Sequence, residues 1–173
     1  MIKESKIISI IEFNKIQNWL NSSIGNVKRY ELIYRATVDG DSNSVSFKKC
    51  KSIPNLIWIM KDKNNNIFGC FNSIEIKSNN FYSKDSKCFL YSINKNKKYN
   101  PNLNIIYNIY NCSSHVIEFG INDIFEFAAG EKFLSSNSVT FTNGEIFNHN
   151  LEICSYNTSV SLVELEVYKI IKS

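Results

Sequence analysis

The sequence predicts an α+β fold in which two antiparallel β-sheets pack as a sandwich with a few flanking helices. Three observations carry that expectation. Several segments alternate apolar and polar residues with period two, as a sheet with one wet face requires. One segment near the N-terminus repeats its apolar residues at three- and four-residue spacings instead. With 43% apolar and 13% aromatic residues in 173 positions, there is material for one real core and too much for disorder.

The elements follow in chain order. Ile8, Ile11, Phe13, Ile16, Trp19 and Leu20 form an amphipathic helical stripe, ended by the asparagine, serines and glycine of Asn21 to Gly25. A second short helix is expected from Asn43 to Lys51, capped by Ser42 or Asn43, with Val45, Phe47 and Cys50 inward. Leu56 to Met60 is an unbroken apolar run, which suits a strand buried on both faces. It pairs as a hairpin with Ile67 to Ile76 across the turn-forming Asp62 to Asn66. Cys88 to Ile93 and Leu103 to Tyr110 are further apolar strands. Ile117, Phe119 and Ile121 alternate with polar or small residues, and Phe125 and Phe127 flank Glu126. Finally Val163, Leu165 and Val167 alternate with Glu164, Glu166 and Tyr168, so the two carboxylates are expected on a solvated face. No internal repeat or long linker divides the chain.

Charge and cysteine usage narrow the function classes. A net charge of +4 and a pI near 8.7 are mild, which argues against a nucleic-acid partner. The dense basic stretch Lys95, Lys97 and Lys98 lies in an asparagine-rich segment that reads as a solvated loop. Its alternative role is contact with acidic lipids or an acidic partner, aided by Lys48, Lys49 and Lys51, so any membrane contact is peripheral. The five cysteines are widely spaced and odd in number, unlike a secreted disulfide framework. Met1 to Ile11 carries Lys3, Glu4 and Lys6 and lacks a small-residue cleavage site, and no window approaches a membrane span. The expectation is a cytoplasmic, thiol-reduced protein.

Local motifs for chemistry fail on spacing. Asp39-Gly-Asp41-Ser-Asn43 opens like a calcium loop, but Ser44 and Cys50 stand where glycine and a bidentate glutamate are needed. Asp62 to Ser73 fails the same test. Cys112-x-x-His115 and His149 with Cys154 lack the compact knuckles of structural zinc. Ser113 and Ser114 beside His115 have no glycine-flanked elbow, and Gly120, Gly130 and Gly144 stand alone rather than cradling phosphate. No metal, cofactor or catalytic residue is assigned. A cysteine–histidine pair that meets only in space stays open, with a thiol-based redox enzyme or scavenger as the corresponding function.

Ordered blocks resemble a known family. Leu32-Ile-Tyr-Arg-Ala-Thr-Val-Asp-Gly-Asp-Ser42, Phe47-Lys-Lys-Cys50, Pro54 to Met60 and Ile67-Phe-Gly-Cys-Phe71 come first. Phe81-Tyr82, Cys88-Phe-Leu-Tyr-Ser92, Ser113 to Ile124, Ser135 to Phe141 and Leu165-Glu-Val-Tyr168 follow. Together they resemble TLDc domains, in family order, over about residues 26–171. The resemblance implies the two-sheet sandwich of that fold, a domain over residues 26–173, and an N-terminal helix, residues 1–25, packing on it. It also implies a link to oxidative-stress resistance and, for some members, a protein partner in the vacuolar proton pump. The family-motif residues it picks out are Arg35, Asp39, Gly40, Phe47, Phe68, Gly69, Phe89, Gly120, Asp123, Ser136, Phe141 and Glu166. Their expected role is structural: Gly40 for a turn, Gly69 for a bulge or close backbone approach, and Phe47, Trp58, Phe89, Leu90 and Phe119 for the core. Arg35 and Glu166, charges inside strand-like blocks, are expected to be ion-paired.

Overall fold

The computed structural model describes residues 5–77, 81–101, 109–111, 118–119, 125–128, 131–134, 159–160 and 162–173, and shows an α+β fold. Helix α1 (Ile10–Ile24) begins at a capping box. The Ser9 hydroxyl accepts from the Glu12 N–H at 3.4 Å, and the Glu12 carboxylate accepts from the Ser9 N–H at 2.6 Å. It ends at Gly25, whose φ of +83° turns the chain away while its N–H bonds the Asn21 carbonyl. Strand β1 (Val27–Arg35) leads into the single-turn helix α2 (Ala36–Asp39) and then α3 (Asn43–Cys50). Ser42 caps α3 through Val45 N–H, as the sequence predicts.

Strands β2 (Leu56–Asp62) and β3 (Ile67–Asn72) form the expected hairpin, closed by Asp62, whose carboxylate accepts from the N–H groups of Asn64 and Asn66. Next come β4 (Phe81–Ser83), β5 (Phe89–Ser92), β6 (Lys97–Tyr99), β7 (Ile109–Asn111), β8 (Glu118–Phe119), β9 (Phe125–Ala128), β10 (Glu131–Leu134), β11 (Ser159–Val160) and β12 (Leu162–Lys172). The main sheet has six antiparallel strands in the order β1-β12-β2-β3-β5-β6. Two three-stranded sheets, β11-β10-β9 and β4-β7-β8, stand beside it in the topology.

The main sheet is buried on both faces because period two sends alternate side chains to opposite sides. On one face Trp58, Met60, Phe68, Cys70, Leu90 and Val167 cluster, and Val45 and Phe47 of α3 pack against them. On the other Ile57, Ile59, Phe71, Phe89, Tyr91 and Tyr168 pack with Ile16 and Leu20 of α1. Each such side chain contributes about 1.5–3 kcal/mol on burial, so α1 shares the sheet's core rather than decorating it.

Four expectations change. Glu164 and Glu166 are buried, not solvated, because β12 lies between β1 and β2 and both its faces are covered. Val163, expected inward, is 50% exposed; the register with β2 shifts between Leu162 and Glu164 and turns it out. The lysine-rich segment is not simply a loop: Lys97 and Lys98 lie in β6. Phe47 is partly rather than fully buried, since α3 covers the sheet from its rim.

Candidate functional site

The densest polar constellation in the described residues surrounds Glu166 on β12. Its carboxylate is completely buried and accepts from several donors at once. Oε1 takes the Lys6 N–H at 2.8 Å and the Arg35 guanidinium through Nε at 2.9 Å and Nη2 at 2.8 Å. Oε2 takes the Ser5 hydroxyl at 2.6 Å and the Tyr168 phenol at 2.9 Å. Sheet pairing brings the ion pair together: Arg35 on β1 lies directly opposite Glu166 in the antiparallel register. Burial alone would lower the Arg35 pKa, but the bond and charge of Glu166 prevail and raise it. Five donor contacts converge on this one buried carboxylate, and hydrogen bonds to a charged group are worth about 1.5–3 kcal/mol each, which offsets the cost of its burial.

The neighbouring Glu164 works on the chain just after Arg35. It accepts from the Thr37 N–H at 3.2 Å and from the Thr37 hydroxyl, so a carboxylate remote in sequence caps the start of α2. Asp39 closes the same corner, accepting from the Arg35 N–H at 2.9 Å and the Lys49 ammonium of α3 at 2.6 Å. The Lys49 bond, then the Arg35 N–H, holds the Asp39 carboxyl below its usual range. Gly40 follows with φ of +103°, a conformation that L side chains resist, and its carbonyl accepts from the buried Tyr34 phenol at 2.9 Å. Arg35, Asp39, Gly40 and Glu166 therefore meet at one corner.

The remaining motif residues lie elsewhere. Phe68 and Phe89 are buried on opposite faces of the main sheet. Gly69 marks a close approach: a Cβ there would lie 1.9 Å from the Trp58 carbonyl oxygen and 2.6 Å from the Tyr91 hydroxyl. The space goes to the Tyr91 phenol, which crosses Gly69 to donate to the Trp58 carbonyl at 2.8 Å. Gly120, Asp123, Ser136 and Phe141 lie outside the described residues, as do His115, His149, Cys112 and Cys154.

Lysines and thiols are used differently from their sequence reading. Lys95 and Lys97 are exposed. Lys98 is half-buried; its ammonium donates to Ser23 Oγ at 2.6 Å and Ser22 Oγ at 3.2 Å and lies 4.7 Å from the centre of the Phe89 ring. Burial lowers its pKa. Cys50, Cys70 and Cys88 are buried thiols that form no disulfide. Burial pushes Cys50 up to about 12 and the other two well above the usual thiol value, which suppresses the nucleophilic thiolate. Among the described residues no three His, Cys, Asp or Glu side chains converge on a metal position.

Sequence reasoning found Arg35 and Glu166 but missed Ser5, Thr37, Tyr34 and Tyr91. Ser5 and Thr37 carry no local signal, because their acceptor is a carboxylate on the last strand. Tyr91 had one signal, the glycine inside β3 that must face something bulky.

No curated protein matches this chain. A family model for the TLDc domain matches residues 1–171, which takes in α1, the buried corner and every strand of the main sheet. The chain belongs to the TLDc domain family, generally linked to oxidative-stress resistance.

Proposed function

We propose that the chain is a cytoplasmic, non-enzymatic protein-interaction module that serves oxidative-stress resistance, with the vacuolar proton pump as its partner. One observation carries the reading. The charged groups of the family blocks are spent on one another inside the fold, while large apolar side chains point outward. Ile10 and Ile11, at the start of α1, are 64% and 74% exposed. Neighbouring exposed isoleucines on a rigid, capped helix offer a contact surface whose burial by a partner is favourable. Thiol-based redox chemistry is the weaker reading, since Cys50, Cys70 and Cys88 are buried and protonated. Membrane attachment also fits less well: no described helix is long and apolar enough to cross a bilayer, and Lys98 is turned toward α1.

The test is direct binding of the purified peripheral sector of the pump to the immobilised chain. Saturable binding is expected, weakened about tenfold or more by Ile10→Asp with Ile11→Asp, which corresponds to at least ~1.4 kcal/mol. Absence of binding removes the pump as partner, and undiminished binding by the variant removes α1 as the contact.

A further inference from the structure

A cleft of about 470 Å³ opens between the last turn of α1, the turn before β5 and the end of β6. Ser22, Ser23, Ser86, Lys87, Lys98 and Asn100 line it, and no carboxylate is among its described lining residues. Its size is that of an ordinary small-molecule pocket, roughly 300–1,000 Å³. The polar groups are ammonium, hydroxyl and carboxamide, all able to donate.

The electrostatic balance favours an anion. Lys98 is positioned by Ser22, Ser23 and the Trp19 carbonyl at 3.5 Å, and by the face of Phe89. These are neutral acceptors, so the charge is fixed in place without being cancelled. Against the two ammonium groups stand about half a negative charge from the C-terminal end of α1 and the Asp85 carboxylate behind Lys87, which is buried and occupied with the N–H groups of Ser73 and Lys87 and the Ser73 hydroxyl. Lys98 is the half-buried anchor at the helix, and Lys87, which is exposed, lines the cleft from the turn before β5.

We propose that this cleft binds a phosphate monoester. A dianion matches the charges of the two lysines, and the Lys87 ammonium, the Ser23 and Ser86 hydroxyls and the Asn100 amide supply the donors, since the Ser22 hydroxyl already donates to the Trp19 carbonyl at 2.8 Å. The site differs from the basic stretch read in sequence: it selects Lys98 from that stretch, leaves Lys95 and Lys97 out, and adds Lys87 from another turn.

The experiment is a ¹H–¹⁵N NMR titration of the full chain with glycerol 3-phosphate. A parallel titration uses vesicles of phosphatidylcholine with and without phosphatidic acid. Saturable amide shifts confined to Ser86–Cys88 and Lys98–Asn100 are expected. Lys87→Ala should weaken binding about tenfold and Lys95→Ala should leave it unchanged. Lys98→Met also cuts the tether of α1, so Lys87→Ala carries the decision. Saturation by glycerol 3-phosphate supports a soluble ester; saturation only by phosphatidic acid vesicles supports the same chemistry on a lipid headgroup. Saturation by neither overturns the proposal. So does equal weakening by Lys87→Ala and Lys95→Ala, the signature of diffuse surface charge.

Discussion

Gly69 and Asp39 show how much a single residue decides here. Gly69 has no side chain because β3 passes beneath the Tyr91 phenol at the point where that phenol reaches the Trp58 carbonyl. Gly69→Ala should destabilise the fold by about 3 kcal/mol or more, measured by urea unfolding. Adding Tyr91→Phe should not rescue it, because the nearer obstacle, at 1.9 Å, is backbone. Full rescue by that second change would show that the phenol alone sets the constraint. Asp39 makes a pH-dependent contribution. Its folded pKa lies below its unfolded value of about 3.9, so its stabilisation is complete above that pH and is lost as the pH falls through the folded value. Asp39→Asn should therefore lower Tm at neutral pH and flatten the Tm profile below about pH 4. Parallel profiles for the two proteins would contradict the Lys49 contact.

At the scale of elements, local patterns were readable where local physics decides. The cap of α3, the β2–β3 hairpin and most of the stripe of α1 follow from capping, turn residues and spacing; Ile11, expected in that stripe, is instead 74% exposed because it lies on the outer side of the first turn. The start of α1 could have been fixed more closely, since Ser9-x-x-Glu12 is a capping box. Helix α2 could not be read. It is four residues long, and the cap at its start comes from Glu164 on β12 rather than from its own sequence. Strand β12 was misread for the same reason. Its alternation looks half-solvated, but the donors that make Glu164 and Glu166 tolerable inside are Ser5, Lys6, Arg35, Thr37 and Tyr168, mostly far along the chain. Lys98 shows the converse: one residue of a lysine run leaves the solvated set because β6 carries it beneath α1.

Across the whole molecule, the chain's beginning and end are joined at the sheet's interior. The last strand sits between β1 and β2, and its Glu166 holds both β1 and the segment leading into α1. Among the described residues β1 is one edge strand of the main sheet, and its Lys28, Arg29 and Glu31 and two register shifts make it a poor template for further strand pairing. Arg35 and Glu166, the charges that stand out in the sequence, thus close the fold. That claim is tested most directly by a double-mutant cycle of Arg35→Met and Glu166→Gln in urea unfolding. Each single change should cost about 3–5 kcal/mol, because it strands a buried charge or its donors. The double change should cost at least ~1.5 kcal/mol less than the sum. Single losses below about 1 kcal/mol that add independently, as for an exposed ion pair, would contradict it.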